Sequence, residues 1–428
     1  MSVKRDGNGL RGLASLSVVI THVARAFDTD LFNPAVSENG ATRFLQWPLI
    51  RVLIQGRIGV AIFSMVTGYV CALKPIRLSR QGNWEAALKS LSKSAIRRVP
   101  RFVLPTTVAT LLIWLVAQFN AFNVAKHSGS DWTVRTSPPS LPTLWQSLND
   151  LWINIIKTWT ENYNSYDPNQ WTLMPLLKGS MMLAAMTMWW YYYLDNDAPF
   201  GMQFFWGVFL ADFQNLPFAN NILTARPILC RVISVLCMAA GFAIASLPEY
   251  NTEWTAWSNN LRILLDSVLY PGSDYARFST TLGLHLISLG IHFSLSLQSL
   301  LSNKYFLWLG KQSFAVYLLH GPILRTVLCW MLFGFSVPAD HVNDEGETVP
   351  TNFEPVGGLR LLICFVIWLP LNYAAAIAWT NYIDPWCAQV TEKFVAYVKE
   401  DTDGLLGVER RPKAFDPRAK AGESSSIA

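Results

Sequence analysis

A hydrocarbon layer about 30 Å thick is crossed by about 20 helical residues, and apolar runs of that length recur along this chain from Leu10 to Ile383. Candidate spanning helices cover residues 10–27, 52–73, 102–119, 175–194, 227–247, 278–298, 306–334 and 358–383. A further apolar piece, Phe204 to Phe213, reaches about 15 Å as a helix and is too short to cross alone. One or two such runs fit a soluble core, whereas a series of them means a bundle in lipid. The pattern therefore predicts an all-α, polytopic transmembrane bundle of about eight spans. Between the third and fourth runs lies a polar stretch, Asn120 to Gln170, that contains Pro138, Pro139 and Pro142. Leu144, Trp145, Leu151, Trp152 and Ile155 follow, and this part reads as an amphipathic helix lying on the membrane or capping the bundle.

Charge orients the spans. Lys74, Arg77, Arg80, Lys89, Lys93, Arg97, Arg98 and Arg101 face the single acid Glu85 in one loop, which the positive-inside rule assigns to the cytosol. Residues 337–355 carry Asp340, Asp344, Glu345 and Glu347 without Lys or Arg and belong on the other side. Lys4 and Arg5 at one end and Lys393 to Lys420 at the other place both termini in the cytosol. The chain divides into a transmembrane domain, residues 1–384, and a cytosolic C-terminal tail, residues 385–428, expected to be disordered beyond Asp416. No small-residue cleavage site follows the first apolar run, so it is expected to be a retained helix.

Composition agrees: 51% of the residues are hydrophobic and 15% charged, more apolar material than one soluble core needs. The net charge of +5 over 428 residues is too small to suggest nucleic acid. The six cysteines sit in or beside apolar segments without ligand spacing, so neither a disulfide framework nor a metal site follows.

Arg11 and His22 are the only ionisable groups between Asp6 and Arg25 in the first run. Ionisable side chains inside a membrane are costly and face a cavity or a partner. Their spacing is three helical turns, about 16 Å, and returns to nearly the same face. An imidazole there can take a proton from an attacking hydroxyl; the plainer alternative is a histidine bonded to a backbone carbonyl. His320, also on an apolar helix, is either a polar anchor for the pocket or a structural hydrogen bond. Arg98 and Arg101 fit ordinary anchoring at the membrane surface.

The run Leu10 to His22 resembles the opening signature of the acyltransferase-3 family of membrane O-acyltransferases, in which an Arg is followed, ten intervening residues later, by a His. Gly59-Val60-Ala61-Ile62-Phe63 with Thr67-Gly68-Tyr69 is similar to the family's second-helix pattern. Arg98-Val99-Pro100-Arg101 with Leu104-Pro105 resembles its RxxR motif. Gly207, Leu210, Ala211 and Asp212 look like a later segment, as do Leu309-Gly310-Lys311 and Tyr317 through Pro322. The stretch Asn169 to Leu173, running on to Met181, is closest to the fungal branch. Together these motifs cover nearly the whole chain up to about Asp384.

The resemblance implies a multi-pass membrane enzyme of the endoplasmic reticulum, Golgi or plasma membrane. It would transfer an acyl group, commonly acetyl from acetyl-CoA as co-substrate, to a hydroxyl of a small metabolite, lipid or glycan, with secondary metabolism one setting. His22 and Arg11 would be catalytic, Arg98 and Arg101 would hold the coenzyme A phosphates, and His320 would contact substrate. No tightly bound cofactor is expected. Two departures support an alternative, a non-catalytic member acting as transporter or binding partner. Leu176 stands where the family's fourth-helix signature has Glu, and the segment from Gly179 to Phe205 leaves less room than relatives have.

Overall fold

In lipid each segment must satisfy its own backbone hydrogen bonds, so an apolar run of spanning length closes into a helix. The computed structural model describes residues 3–139, 141–181, 198–269, 273–339, 341–342, 348–349 and 351–405. The chain opens with α1 (Val3–Phe27), α2 (Gly56–Arg80) and α3 (Trp84–Gln118). Then come α4 (Asn123–Lys126), α5 (Asp131–Thr136), α6 (Leu144–Thr160), α7 (Leu173–Met181) and α8 (Ala198–Phe213). The middle holds α9 (Pro217–Ala225), α10 (Pro227–Ala245), α11 (Ala256–Asp266), α12 (Tyr275–His292) and α13 (Leu295–Leu301). α14 (Lys304–Ile323) passes through a π-helical turn, Leu324–Leu328, into α15 (Cys329–Phe333). A small antiparallel ladder pairs His341–Val342 with Thr348–Val349, and α16 (Gly358–Leu405) closes the described chain.

Among the described residues, 6 helical stretches are long and apolar enough to cross a membrane, or 7 if the bent pair α12 and α13 counts as one span. The protein is an all-α, polytopic membrane protein. Most of the run expected at residues 175–194 lies outside the described residues. The run expected at 278–298 is not one straight helix: α12 and α13 meet at 103°. Ser294 causes the break, accepting from Leu297 N through its hydroxyl and capping a new helix. The last helix continues past Ile383 to Leu405, so the expected boundary at 384 falls inside unbroken helix.

Helix positions follow from burial. α1, α2 and the α14–α15 stretch are 50%, 67% and 61% buried over their most apolar windows and form the centre. α3, α10 and α16, at 28%, 22% and 28%, form the periphery, where Leu111, Leu115, Val235, Leu236 and Val366 point outward. Without a hydrophobic drive between helices, association in lipid depends on close packing. α2 and α8 achieve it through two glycines. A Cβ on Gly207 would lie 1.9 Å from the Met65 carbonyl oxygen, and one on Gly68 2.0 Å from that of Phe204.

Two ends of the bundle are defined by ion pairs. At one, Arg80 of α2 meets Asp212 of α8 at 2.7 Å, and Arg97 of α3 bonds to Glu392 of α16. This basic end carries residues 74–101. At the opposite end, Arg25 of α1 and Arg57 of α2 converge on Glu249, beyond α10. α1 therefore starts, and α16 finishes, at the basic end. α6 packs on α3 at the far end, where Trp114 Nε1 donates to Ser147 Oγ at 2.8 Å. Its Leu144, Trp145, Leu148 and Trp152 remain exposed on the other face, so the helix both caps the bundle and is amphipathic.

Candidate functional site

His22 lies near the far end of α1, facing α14. Its Nδ1 and His320 Nε2 are 2.6 Å apart, and His320 Nδ1 is 2.9 Å from the Val316 carbonyl oxygen. The two imidazole planes differ by 4° and their centres are 4.9 Å apart. That separation is close to the N···N distance plus the two ring radii, so the rings meet edge to edge in one plane. A carbonyl can only accept, so His320 Nδ1–H donates to Val316 O and leaves Nε2 with a lone pair. His22 must then donate from Nδ1–H. The chain of bonds fixes His22 as the tautomer whose Nε2 is unprotonated, and Nε2 has no partner among the described residues.

A cavity of about 350 Å³ opens beside this ring. Its walls come from the far-end halves of α1, α2 and α14, from Trp132 on α5, from residues 168–172, and from the first turns of α8 and α12. Trp132 lies against the imidazole face, with ring centres 5.3 Å apart. Tyr317, one turn before His320, shares a hydrogen bond with Thr172 at 2.5 Å and donates to the Asn169 carbonyl oxygen. These bonds fasten the 168–172 wall to α14.

The segment after His320 carries a second construction. Pro322 has no N–H to give the helical ladder, and the next turn widens into the π-helix, a feature common at functional sites. Arg325, on that turn, is fully buried. It donates to the Gly321 carbonyl at 3.1 Å, the Tyr166 carbonyl at 3.3 Å and Asp167 Oδ1 at 3.3 Å. Burial pushes the Asp167 carboxyl up to about 6, with Arg325 and bonds from Asn169 and Gln170 opposing. Gly321 makes room for this contact: a Cβ there would sit 2.5 Å from Asn169 Nδ2 and 3.0 Å from Asp167 Oδ1.

The five residues singled out from sequence are not all together. His22 and His320 touch. Arg11 is three turns away on α1, half-buried, and is not among the residues lining the cavity. Arg98 is at the basic end, bonded to the Ser180 carbonyl and to Ser94 Oγ at 2.8 Å, so it ties α3 to α7. Arg101 is exposed there and stands 3.7 Å from Glu392. Sequence reasoning missed Trp132, Asp167, Arg325 and the Arg25–Arg57–Glu249 cluster. Arg325 carried a usable signal, an ionisable group inside the apolar run 323–333, whereas the loop residues resemble ordinary polar loop composition. Among the described residues no group of three His, Cys, Asp or Glu side chains could hold a metal ion.

Fold and site together define a multi-pass membrane protein in which His22, paired with His320, faces a cavity of mixed polar and apolar lining between helices. The chain belongs to the acyltransferase-3 family: the family's model, described as an acyltransferase domain, matches residues 8–339. It is similar to the O-acetyltransferase PaAT-1 of Phomopsis amygdali, 26% identical over 364 residues covering 75% of this chain and 72% of that protein. No solved structure matches the chain.

Proposed function

We propose that this chain transfers an acyl group, acetyl in the simplest case, from acyl-coenzyme A to a hydroxyl of a small metabolite, lipid or glycan. The observation that carries the reading is the Val316–His320–His22 chain of hydrogen bonds, which leaves a lone pair on His22 Nε2 beside the cavity. Family membership and the likeness to an O-acetyltransferase support the reaction class.

In the proposed step His22 Nε2 takes the proton of the acceptor hydroxyl as its oxygen attacks the thioester carbonyl. The new C–O bond forms, the C–S bond breaks, and the coenzyme A thiolate takes the proton back from His22. His320 holds the ring in its reactive tautomer, and Trp132 restricts its face. Direct attack requires only groups present at the site. The donor approaches from the basic end, where Arg101 is the exposed arginine of the RxxR motif, held among the described residues only by the long contact to Glu392, and Arg98 ties α3 to α7. In this proposal Arg11, three turns from His22 on α1 and outside the cavity lining, meets the donor's polar arm.

The test is release of free coenzyme A and acylated product by the purified full chain. His22→Ala is expected to lose about 10²–10⁴ in rate, and His320→Ala, which removes only the orienting partner, should lose less. Undiminished transfer by His22→Ala would refute the assignment.

A further inference from the structure

The cavity beside His22 contains, among the described residues, three guanidinium groups and two carboxylates: Arg25, Arg57 and Arg277 against Glu249 and Asp274. Burial alone would raise the Glu249 carboxyl, but Arg57 and Arg25 more than offset this and hold it below the usual range. It is therefore ionised at neutral pH, and the described wall carries one more positive than negative charge.

That excess is concentrated on Arg57. Glu249 Oε2 is taken up by Arg25 at 2.5 Å, and the same oxygen lies 3.4 Å from Arg57. Arg57 otherwise reaches only the Leu247 carbonyl, at 3.5 Å, and its Nε is enclosed without a partner. A guanidinium has five donors in a planar fork suited to carboxylate or phosphate, and here most of that capacity is unused. Arg57 also stands in the first turn of α2, which has no side-chain cap at Gln55. The free N–H groups of a helix start add positive potential at this wall. α12, by contrast, is already capped, because Asp274 Oδ1 accepts from Arg277 N at 3.0 Å.

An independent feature faces the same space. Gln203, only 5% exposed, lines the cavity, and its Oε1 has no partner. Its orientation is fixed: the Thr281 hydroxyl donates to the Arg277 carbonyl at 2.8 Å, so it accepts from Gln203 Nε2, also at 2.8 Å. Oε1 is thus a buried acceptor awaiting a donor, which costs stability when unfilled.

We infer that the acceptor substrate is an anion: a small polyhydroxylated molecule whose carboxylate or phosphate group is held by Arg57, with a second hydroxyl donating to Gln203 Oε1. The reacting hydroxyl then lies at His22 Nε2. This inference rests on the acyl-transfer reading for its catalytic half, but the anion site stands without it. A single anionic group neutralises the excess charge of the described wall, and a volume of about 350 Å³ suits a small ligand.

Two measurements on the purified full chain test it. Inorganic phosphate, compared with chloride at equal ionic strength, should raise the melting temperature of the wild type but not of Arg57→Gln, with Arg57→Lys in between. In acyl transfer, glucuronate and glucose 6-phosphate should exceed methyl glucuronate and glucose by about tenfold or more in kcat/KM. In Arg57→Gln that ratio should collapse toward one. Equal use of charged and neutral partners by the wild type, or a phosphate shift that survives in Arg57→Gln, overturns the inference and leaves the acyltransferase reading intact. A phosphate shift that depends on Arg57, with none of the four sugars acylated, supports the anion site and overturns the polyhydroxylated acceptor, while the acyl-transfer reading stands or falls on the His22→Ala test.

Discussion

His22, half-buried, and Asp167, fully buried, are both ionisable residues of the interior, yet only the first could be found by reading along the chain. His22 interrupts an apolar run, where a titratable group is conspicuous. Asp167 sits in a polar loop, where aspartate is ordinary, and its significance comes from Arg325, 158 residues away. The partner of His22 is likewise 298 residues distant. Asp167 also gives a pH signature. Its folded carboxyl titrates near 6, above the unfolded value, so the folded state binds the proton more readily. The stability associated with this group is fully present below the unfolded value, about 4, and is lost as pH rises through about 6. The melting temperature of wild type minus that of Asp167→Asn should therefore fall between pH 4.5 and 7. Asp167→Ala should be worse than Asp167→Asn by about 3 kcal/mol, because it leaves the buried Arg325 with only the Gly321 and Tyr166 backbone carbonyls. Parallel pH profiles for wild type and Asp167→Asn would show that Asp167 does not titrate in this window.

At the scale of the helix, length and hydropathy predicted which segments cross, but not how they end or bend. The run 278–298 is continuously apolar enough to read as one span, and Ser294 turns it through 103°. α3 and α16 both continue beyond their apolar windows at the basic end, where Arg97 and Arg101 share Glu392. Contact between helices is decided by shape. Gly207 was visible only as part of a motif, whereas the structure supplies the reason: the Met65 carbonyl oxygen occupies the place of any side chain. Gly207→Ala should force α2 and α8 apart and destabilise the protein by about 1–3 kcal/mol. Gly358→Ala, at a position with nothing within 4 Å, is the matched control and should be near neutral. Thermal unfolding in detergent compares the two, and equal melting temperatures would show that the α2–α8 approach is not tight.

Across the whole molecule, the described ends of α1 and α16 lie together at the basic end and the cavity beside His22 lies toward the other. With the basic loop in the cytosol, a glycosylation acceptor placed at residues 353–355 should be modified in microsomes, and a C-terminal fluorescent tag should remain on the cytosolic face. Modification of the tagged end would invert this orientation. The helical, membrane-spanning kind of the described segments and the prominence of His22 were determined by sequence alone, because a helix in lipid must satisfy its backbone locally, whereas the about eight spans expected became 6 or 7 among the described residues. Which residues surround His22 was decided only by tertiary structure. A cavity, a shared carboxylate and a fixed tautomer are properties of groups brought together from distant positions, and no local pattern of hydropathy or charge records that meeting.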